Sequence, residues 1–371
     1  MREPAAGSES QASSQARCAG PGARLGALLE LSKAKLCALV VVTAATGFVL
    51  GSPGGVDGPL FALAMVGIGL TGLGANALNQ WMEIDRDARM KRTAGRPLPT
   101  GRLSRREALV FAAVCAVAGP LILGVFVNGL TAGLAVGCEL IYVLLYTPLK
   151  TRTPLNTLVG AVCGALPPMM GWSAAAGGLG FGAWILGAIL FLWQIPHFLA
   201  LAWLYREDYA RGGFRMLPVV DGSGRLTFRL ILLYSLLLVP LGLTVTLAGI
   251  TGPLFAAGSL LLGTGMIVVG VRLWRRRTNG DARNVFLASV VYLPLLFGLM
   301  VVDAVPGDDT TAARDRPRAA ALRDGGPGIV RANGVGSAAR ETVAARETPR
   351  DRASSLAVAN AFSADLSADT P

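Results

Sequence analysis

Residues 60–82 read LFALAMVGIGLTGLGANALNQWM and carry no charge, whereas residues 83–106, EIDRDARMKRTAGRPLPTGRLSRR, are dense in charged side chains. An apolar run of about 20 residues is long enough to cross a bilayer as a helix. Apolar residues occupy all sides of this run, unlike a helix that covers a soluble core. The stretch therefore predicts a membrane span followed by a charged loop.

Eight other apolar runs of similar length are present, and the whole composition agrees with them. Of the 371 residues, 53% are apolar and 15% are charged, and the mean hydropathy is +0.53. A soluble domain needs about a quarter of its residues charged, so a soluble globular enzyme is excluded. The sequence predicts an all-α, polytopic membrane protein with nine transmembrane helices. The other predicted runs are 34–51, 107–126, 130–149, 155–173, 179–204, 229–249, 253–273 and 284–303.

Lysine and arginine alternate along the connections between these runs. The loops after the second, fourth, sixth and eighth spans are basic, and the intervening connections contain neither residue. Because cytoplasmic loops are enriched in Lys and Arg, this alternation predicts a cytoplasmic N-terminus. It also accounts for the net charge of +11 without a nucleic-acid partner, and we expect none. The connections without Lys or Arg are 52–59, 127–129, 174–178 and 250–252.

Both ends of the chain differ from the apolar centre. Residues 1–24 are rich in Ala, Ser and Gly, and residues 304–371 combine balanced charges with few aliphatic and almost no aromatic residues. Such composition predicts disordered tails on either side of a transmembrane domain at 25–303. The five cysteines are scattered without a C-x-x-C pair, which excludes a disulfide scaffold and a zinc ribbon.

The end of the second run concentrates chemistry-bearing residues. Asn79, Glu83 and Asp87 follow each other at intervals of four, which places them on one stripe of a helix. Three oxygen-bearing side chains at a membrane boundary are costly unless they hold a cation. Carboxylates for Mg²⁺ beside guanidinium groups are the combination that binds a diphosphate. The basic residues that follow closely are Lys91, Arg92 and Arg96.

Two later segments also contain polar residues near span ends. Tyr146 and Lys150 lie four residues apart, so they share one face if the turn is helical. An interfacial aromatic and a positive-inside lysine would produce the same pattern. His197 is the only histidine, and Asp208 would lie on its face three turns later if the helix continued. We expect His197 to place a substrate or manage a proton, with a packing role as the alternative.

Together these stretches resemble the UbiA-type intramembrane prenyltransferases, and their exact sequences are similar to those of the haem-farnesylating members of that family. The family motif is usually N-x-x-x-D-x-x-x-D, whereas this chain has Glu83 in the middle. Other members carry a second D-x-x-x-D, but Gly212 stands four residues after Asp208 here. The resemblance covers about residues 28–303. The matching stretches are 79–101, 146–153, 164–172, 193–201, 206–209 and 213–218.

This resemblance implies a helical bundle around a central cavity that opens laterally to lipid. It implies transfer of the farnesyl group of farnesyl diphosphate to a vinyl side chain of haem B, giving haem O and diphosphate. Mg²⁺ is the implied cofactor and haem B a substrate. The implied metal ligands are Asn79, Glu83, Asp87 and Asp208, which leaves open which acid binds which cation. The implied diphosphate-binding residues are Lys91, Arg92, Arg96 and Arg206. The implied catalytic residues are Asn79, Glu83, Asp87, Tyr146, Lys150 and His197.

The resemblance also implies a setting in the cell's inner membrane, with the mitochondrial inner membrane as the alternative, and a haem A synthase as downstream partner. Three other functions stay open at this point. A related prenyltransferase would use another acceptor, such as a hydroxybenzoate or a chlorin. A transporter would also place polar groups in the membrane, although usually at mid-membrane and in two similar halves. A membrane scaffold would tolerate neutral residues at Glu83 and Asp87.

Overall fold

The computed structural model describes residues 20–305, which are helical apart from turns and one isolated bridge between Thr251 and Ala304. This confirms the all-α class. The helices are α1 (Pro21–Leu31), α2 (Ala34–Leu50), α3 (Gly58–Met82), α4 (Ile84–Asp87), α5 (Arg105–Phe126), α6 (Gly129–Leu149), α7 (Asn156–Ala176), α8 (Phe181–Leu204), α9 (Arg206–Arg211), α10 (Leu217–Val220), α11 (Arg225–Leu247), α12 (Pro253–Arg276) and α13 (Asn279–Val302).

Eight of the helices in residues 20–305 are long and apolar enough to cross a membrane singly. They are α3, α5, α6, α7, α8, α11, α12 and α13. Helix α2 has 17 residues and qualifies together with α1, from which it is bent by 57°. Counting that bent pair as one span gives the predicted nine.

The N-terminal boundary of the helical part differs from the predicted one. Helix α1 begins at Pro21, inside the range 1–24 that the sequence predicts as a tail. Proline at the first helical position is favourable because its fixed φ suits a helix start and its missing N–H is not needed there. The rest of the predicted tails, residues 1–19 and 306–371, lies outside the described residues.

The basic loops meet at one end of the bundle. Their contacts are Lys91 and Arg92 N–H to the Asp208 carboxylate, Arg215 N–H to the Lys150 carbonyl, and the Arg206 guanidinium to the Asn279 amide oxygen. At the opposite end, the N–H of Gly252 donates to the carbonyl of Asp303. Loops with and without Lys and Arg thus lie at opposite ends of the bundle. The side of the membrane on which the basic loops lie stays a prediction.

Small residues let the helices approach closely, as the spacing of Gly67, Thr71 and Gly74 in α3 suggests. A Cβ on Gly74 would lie 2.5 Å from the backbone nitrogen of Ala116 in α5, and one on Gly67 would lie 2.6 Å from Leu123. Larger side chains at these positions would therefore force α3 and α5 apart.

Helices α2 and α7 touch even more closely, and this contact gives a stability prediction. A Cβ on Gly171 would overlap the carbonyl oxygen of Ala44. We expect Gly171→Ala to lower the free energy of unfolding by about 1–3 kcal/mol, because two backbones must separate. Thermal unfolding in detergent measures this loss. Gly133→Ala in α6, where a Cβ meets nothing within 4 Å, is the matched control. Equal stability of the two variants would contradict the prediction.

Candidate active site

A cavity of about 500 Å³ extends from the basic end of the bundle into its apolar interior. Helices α2, α3, α6, α7, α8 and α13 contribute its walls. Its charged end includes Glu83, Asp87 and Lys150, while Ile68 and Leu293 belong to the apolar wall. This arrangement suits a ligand with a charged head and a long hydrocarbon chain.

The structure brings the three residues of the first motif to this cavity. Helix α3 ends at Met82, Glu83 caps it with non-helical dihedral angles, and the short α4 ends at Asp87. Asn79, Glu83 and Asp87 are all at most 4% exposed and all line the cavity. If these three side chains faced the bilayer, they would have no polar partners. At the cavity wall such partners are available, which is why polar side chains can occupy these positions.

Asn79 and Glu83 are held by side chains distant in sequence. The amide oxygen of Asn79 accepts from Lys33 Nζ at 3.2 Å, and its nitrogen donates to Thr147 Oγ1 at 3.0 Å. Both oxygens of Glu83 accept from Lys150 Nζ, at 2.9 and 3.2 Å. The pair is a buried salt bridge, so removing either partner leaves an uncompensated charge.

Asp87 has one paired and one unpaired oxygen. Oδ2 accepts from Arg96 at 2.6 Å, and Oδ1 is buried without a hydrogen-bond partner. Burial raises the pKa of the Asp87 carboxyl, and the Arg96 guanidinium opposes that change. A buried oxygen without a donor is a suitable ligand for a cation.

The donor atoms of this site fit Mg²⁺ with the help of a substrate. Among residues 20–305, no group of three or more His, Cys, Asp or Glu side chains is placed to hold a metal ion. Mg²⁺ keeps several waters and is usually bound by one or two carboxylates plus substrate phosphates. Asp87 Oδ1 is the oxygen of such a set that has no partner among the described residues, whereas the oxygens of Glu83 and Asn79 already accept from Lys150 and Lys33 and would have to exchange those contacts for the ion.

Two guanidinium groups lie at the charged end of the cavity. Arg96 pairs with Asp87, and Arg92 lies over the rings of Tyr205 and Tyr209, with 5.2 and 5.5 Å from its guanidinium carbon to their centroids. Arg92 also donates to the Tyr209 hydroxyl at 3.3 Å. These contacts orient two guanidinium groups at the charged end of the cavity.

Asp208 is not among the residues that line the cavity with Glu83 and Asp87, although the resemblance implies it as a metal ligand. Its carboxylate accepts from the N–H groups of Lys91 and Arg92, at 2.9 and 3.1 Å, and pairs with Arg211. Although its partial burial acts in the opposite direction, these hydrogen bonds lower the pKa of Asp208. The carboxylate thus fixes the loop that carries Arg92 and does not line the cavity.

Lys91 and Arg206 are also absent from the cavity lining. With Asp208 they line a second pocket, which shares Arg92 with the cavity, and Arg206 stacks on Trp203, its guanidinium carbon 4.5 Å from the ring centroid. The physical reason is a break in the helix. Because α8 ends at Leu204 and Tyr205 has φ −109° and ψ 22°, the turn re-aims every residue that follows. The common face of His197 and Asp208 is predicted on condition that the helix continues, and this condition is not met.

Tyr146 and Lys150 do share one side of their helix. Helix α6 contains a π-helical segment, Ile141–Tyr146, and the N–H of Lys150 donates to the carbonyl of Tyr146 at 3.2 Å. Lys150 Nζ lies 4.6 Å from the centroid of the Tyr146 ring, a cation–π contact. π-Helical turns often occur at functional sites. Here the turn faces the cavity with Tyr142 and Tyr146.

His197 lines the cavity from α8, held between aromatic rings. Its ring stacks on Trp193 with centroids 5.1 Å apart and lies 4.9 Å from Phe286. Its Nδ1 is 2.9 Å from the hydroxyl of Ser289 in α13. The imidazole is thus half-buried with one hydrogen-bond partner among the described residues, and its orientation is fixed.

The sequence reasoning missed Lys33, Tyr142 and Glu139, which also line the cavity. Lys33 lies between α1 and α2 and has a left-handed φ of 50°. In the sequence it directly precedes an apolar run, where a lysine is expected from the positive-inside rule alone. Glu139 is an acidic residue in the middle of an apolar run, and an ionisable residue inside a membrane span already indicates a functional site from sequence alone. Its Oε1 is buried without a partner.

A charged cavity end and an apolar interior within a bundle of spans are features of intramembrane transferases of lipid-like chains. Residues 40–294 match the UbiA prenyltransferase family, and the chain belongs to this family. The Protoheme IX farnesyltransferase of Solibacter usitatus is 45% identical over 284 residues, covering 74% of this chain and 97% of that protein. The mitochondrial Protoheme IX farnesyltransferase of Homo sapiens is 44% identical over 276 residues, covering 74% of this chain and 62% of that protein.

Solved structures share the fold. A structure of a digeranylgeranylglyceryl phosphate synthase superposes with a TM-score of 0.65 at 19% identity, covering 75% of this chain and 98% of that one. A UbiA homologue from Archaeoglobus fulgidus bound to DMAPP and Mg²⁺ gives a TM-score of 0.53 at 17% identity, covering 74% and 99%. The predicted resemblance to this family is confirmed.

Proposed function

We propose that this protein transfers the farnesyl group of farnesyl diphosphate to a vinyl side chain of haem B, forming haem O and releasing diphosphate. The observation that carries this proposal is that Glu83, Asp87, Arg92 and Arg96 line one cavity together with apolar side chains. Identity of 45% over 284 residues to a protoheme IX farnesyltransferase supports the choice of both substrates.

The charged end would bind the diphosphate. Arg92 and Arg96 are fixed by aromatic and carboxylate contacts, and each presents a planar fork suited to two phosphate oxygens. Lys150 adds a point charge held by Glu83. The farnesyl chain would extend past the rings of Tyr142 and Tyr146 into the apolar part of the cavity.

Asn79, Glu83 and Asp87 would hold Mg²⁺, and the unpaired Oδ1 of Asp87 supports this assignment. When bound, the ion neutralises charge that develops on the departing diphosphate. Asp208 would act at a distance, by holding the backbone of Lys91 and Arg92. Lys91 and Arg206 have no proposed contact with the diphosphate, because they are not among the residues that line the cavity.

The remaining residues would control the allylic carbon once its bond to the diphosphate oxygen breaks. The rings of Tyr146 and Trp193 line the cavity and offer negative π faces to a developing carbocation. The apolar walls exclude bulk water until the haem vinyl group has attacked. Water then adds to the carbocation left on the haem side chain and loses a proton to solvent, which gives the hydroxyethylfarnesyl group. The setting is a cell or mitochondrial inner membrane, where a haem A synthase would consume the product.

The test is haem O formation by the purified protein in lipid nanodiscs, supplied with farnesyl diphosphate, Mg²⁺ and haem B. We expect haem O with haem B, and no prenylated product with a hydroxybenzoate or a chlorin. Prenylation of one of those acceptors with no haem O would overturn the choice of acceptor. No loss of activity after chelation of divalent cations would overturn the role of Mg²⁺.

The arginines give a separate prediction. We expect Arg92→Ala to weaken farnesyl diphosphate affinity by about 10-fold or more while haem affinity changes less, because a charge-assisted fork is lost. Arg92→Lys should restore only part of the affinity, since lysine supplies no fork. Titration with a non-hydrolysable farnesyl diphosphate analogue measures the effect. Arg89→Ala, an exposed position in the same loop, is the control. Equal affinity of the Arg92→Ala and Arg89→Ala variants would count against the site.

A further inference from the structure

The hydroxyl of Ser289 determines which nitrogen of His197 carries the proton. Ser289 Oγ donates to the carbonyl oxygen of Phe286 at 2.6 Å and lies 2.9 Å from His197 Nδ1. A serine hydroxyl has one proton, and the carbonyl can only accept. The contact to His197 must therefore be Nδ1–H donating to Oγ. In the neutral imidazole, the lone pair then lies on Nε2.

That lone pair has no protein partner. Nε2 has no hydrogen-bond partner among residues 20–305, and the side chain lines the main cavity. The ring also forms no ion pair with a described Asp or Glu, and its other neighbours are Trp193, Phe198 and Phe286. An imidazolium would be poorly solvated among these rings, so the neutral form is favoured.

The orientation of the imidazole ring is fixed by its contacts with Trp193, Phe198 and Phe286 and by its hydrogen bond to Ser289. Trp193 and Phe286 flank the ring, and Trp193 is itself fixed because its Nε1–H donates to the Ser289 carbonyl at 2.8 Å. A neutral imidazole with Nδ1–H held by an outer partner and Nε2 open is the arrangement that proteins use to ligate metals, including haem iron.

We propose that Nε2 of His197 is an axial ligand of the haem iron, and that Ser289 is the positioning residue that keeps this nitrogen free. This assignment rests on the proposed function, because it names how that same cavity holds the haem substrate. His197 is seven residues before the end of α8, or roughly 10 Å from the charged end of the bundle at the usual helical rise.

The sequence itself supplies a site-specific label. The chain contains one histidine, so growth on [¹⁵N]histidine labels His197 alone when the purification tag lacks histidine. Resonance Raman spectra of the full-length protein in nanodiscs, loaded with ferrous haem and no farnesyl diphosphate, report the iron–nitrogen stretch. We expect that band to shift to lower frequency in the labelled protein. A haem-loaded protein whose spectrum is unchanged by the label would overturn the assignment.

Ser289→Ala tests the positioning role. We expect the iron–nitrogen band to move to lower frequency and haem affinity to fall about 10-fold or more, because the imidazole loses its outer hydrogen bond. Ser289→Thr should restore both. Ser235→Ala is the matched control, since Ser235 is a buried serine of α11 that bonds only the Ile231 carbonyl and is not part of the cavity wall. A Ser289→Ala protein with an unmoved band would overturn the positioning role.

His197→Phe keeps an aromatic ring between Trp193 and Phe286, so a loss of haem binding in this variant cannot be attributed to misfolding. We expect it to insert and fold, to bind haem at least 10-fold more weakly, and to lack the band. Retained haem affinity and haem O formation would return His197 to a packing role. The haem-binding spectra need no farnesyl diphosphate. Labelled-band shifts without haem O formation would therefore reject the proposed function alone, and haem O formation without a shift would reject the ligand alone.

Discussion

Replacing Asp87 by Asn is expected to lower kcat/KM for farnesyl diphosphate by about 100-fold or more. The side chain keeps its size but loses the charge that would hold Mg²⁺ against the diphosphate, and such electrostatic stabilisation of a leaving group is worth about that much. Asp87 is 1% exposed, pairs with Arg96 and has one oxygen without a partner. Initial rates of haem O formation at varied substrate and Mg²⁺ concentrations measure the loss.

The same chemical change two positions earlier is the control. Asp85 is exposed and pairs with Arg105 at 3.4 Å on the surface. Asp85→Asn should leave the rate within about twofold of the parent protein, because an exposed ion pair contributes little. Similar rates for the Asp85→Asn and Asp87→Asn proteins would remove Asp87 from the metal site.

Lys150→Met is expected to lower the free energy of unfolding by about 3–5 kcal/mol and to abolish measurable haem O formation. The reason is that Glu83 would stay buried without the one cation that hydrogen-bonds to it among residues 20–305, and an unpaired buried charge is strongly destabilising. Thermal unfolding in detergent gives the first quantity, and the nanodisc assay gives the second. Arg152→Met, an exposed position in the same loop, should change neither.

A double variant separates stability from function. Adding Glu83→Gln to Lys150→Met removes both charges, so most of the lost stability should return. Activity should stay absent, because the site would lack both a carboxylate and a cation. Recovery of activity together with stability would mean that the pair is structural only.

The number and approximate bounds of the membrane spans can be predicted from local sequence. An apolar run in a bilayer must satisfy its backbone hydrogen bonds within itself, so length and composition predict a helix without knowledge of its neighbours. That is why the nine runs, from 34–51 to 284–303, correspond to the eight spans and the bent pair of the structure. The family resemblance is likewise carried by short contiguous motifs, and it is confirmed by the match over residues 40–294.

Spacing within one helix was also sufficient to bring some side chains together. Residues four apart on a helix are neighbours whatever surrounds them. Asn79 and Glu83 therefore reach one cavity wall, and Tyr146 and Lys150 touch. The roles predicted for these residues stay predictions.

Only the tertiary structure decided which distant residues meet. Glu83 pairs with a lysine 67 positions away, and His197 meets Ser289 across 92 positions. Such contacts follow from the packing of helices, which no local spacing contains. The turn at Tyr205 is a second case: its dihedral angles, φ −109° and ψ 22°, are far from helical values and redirect the residues that follow, so Asp208 is not in the cavity lining.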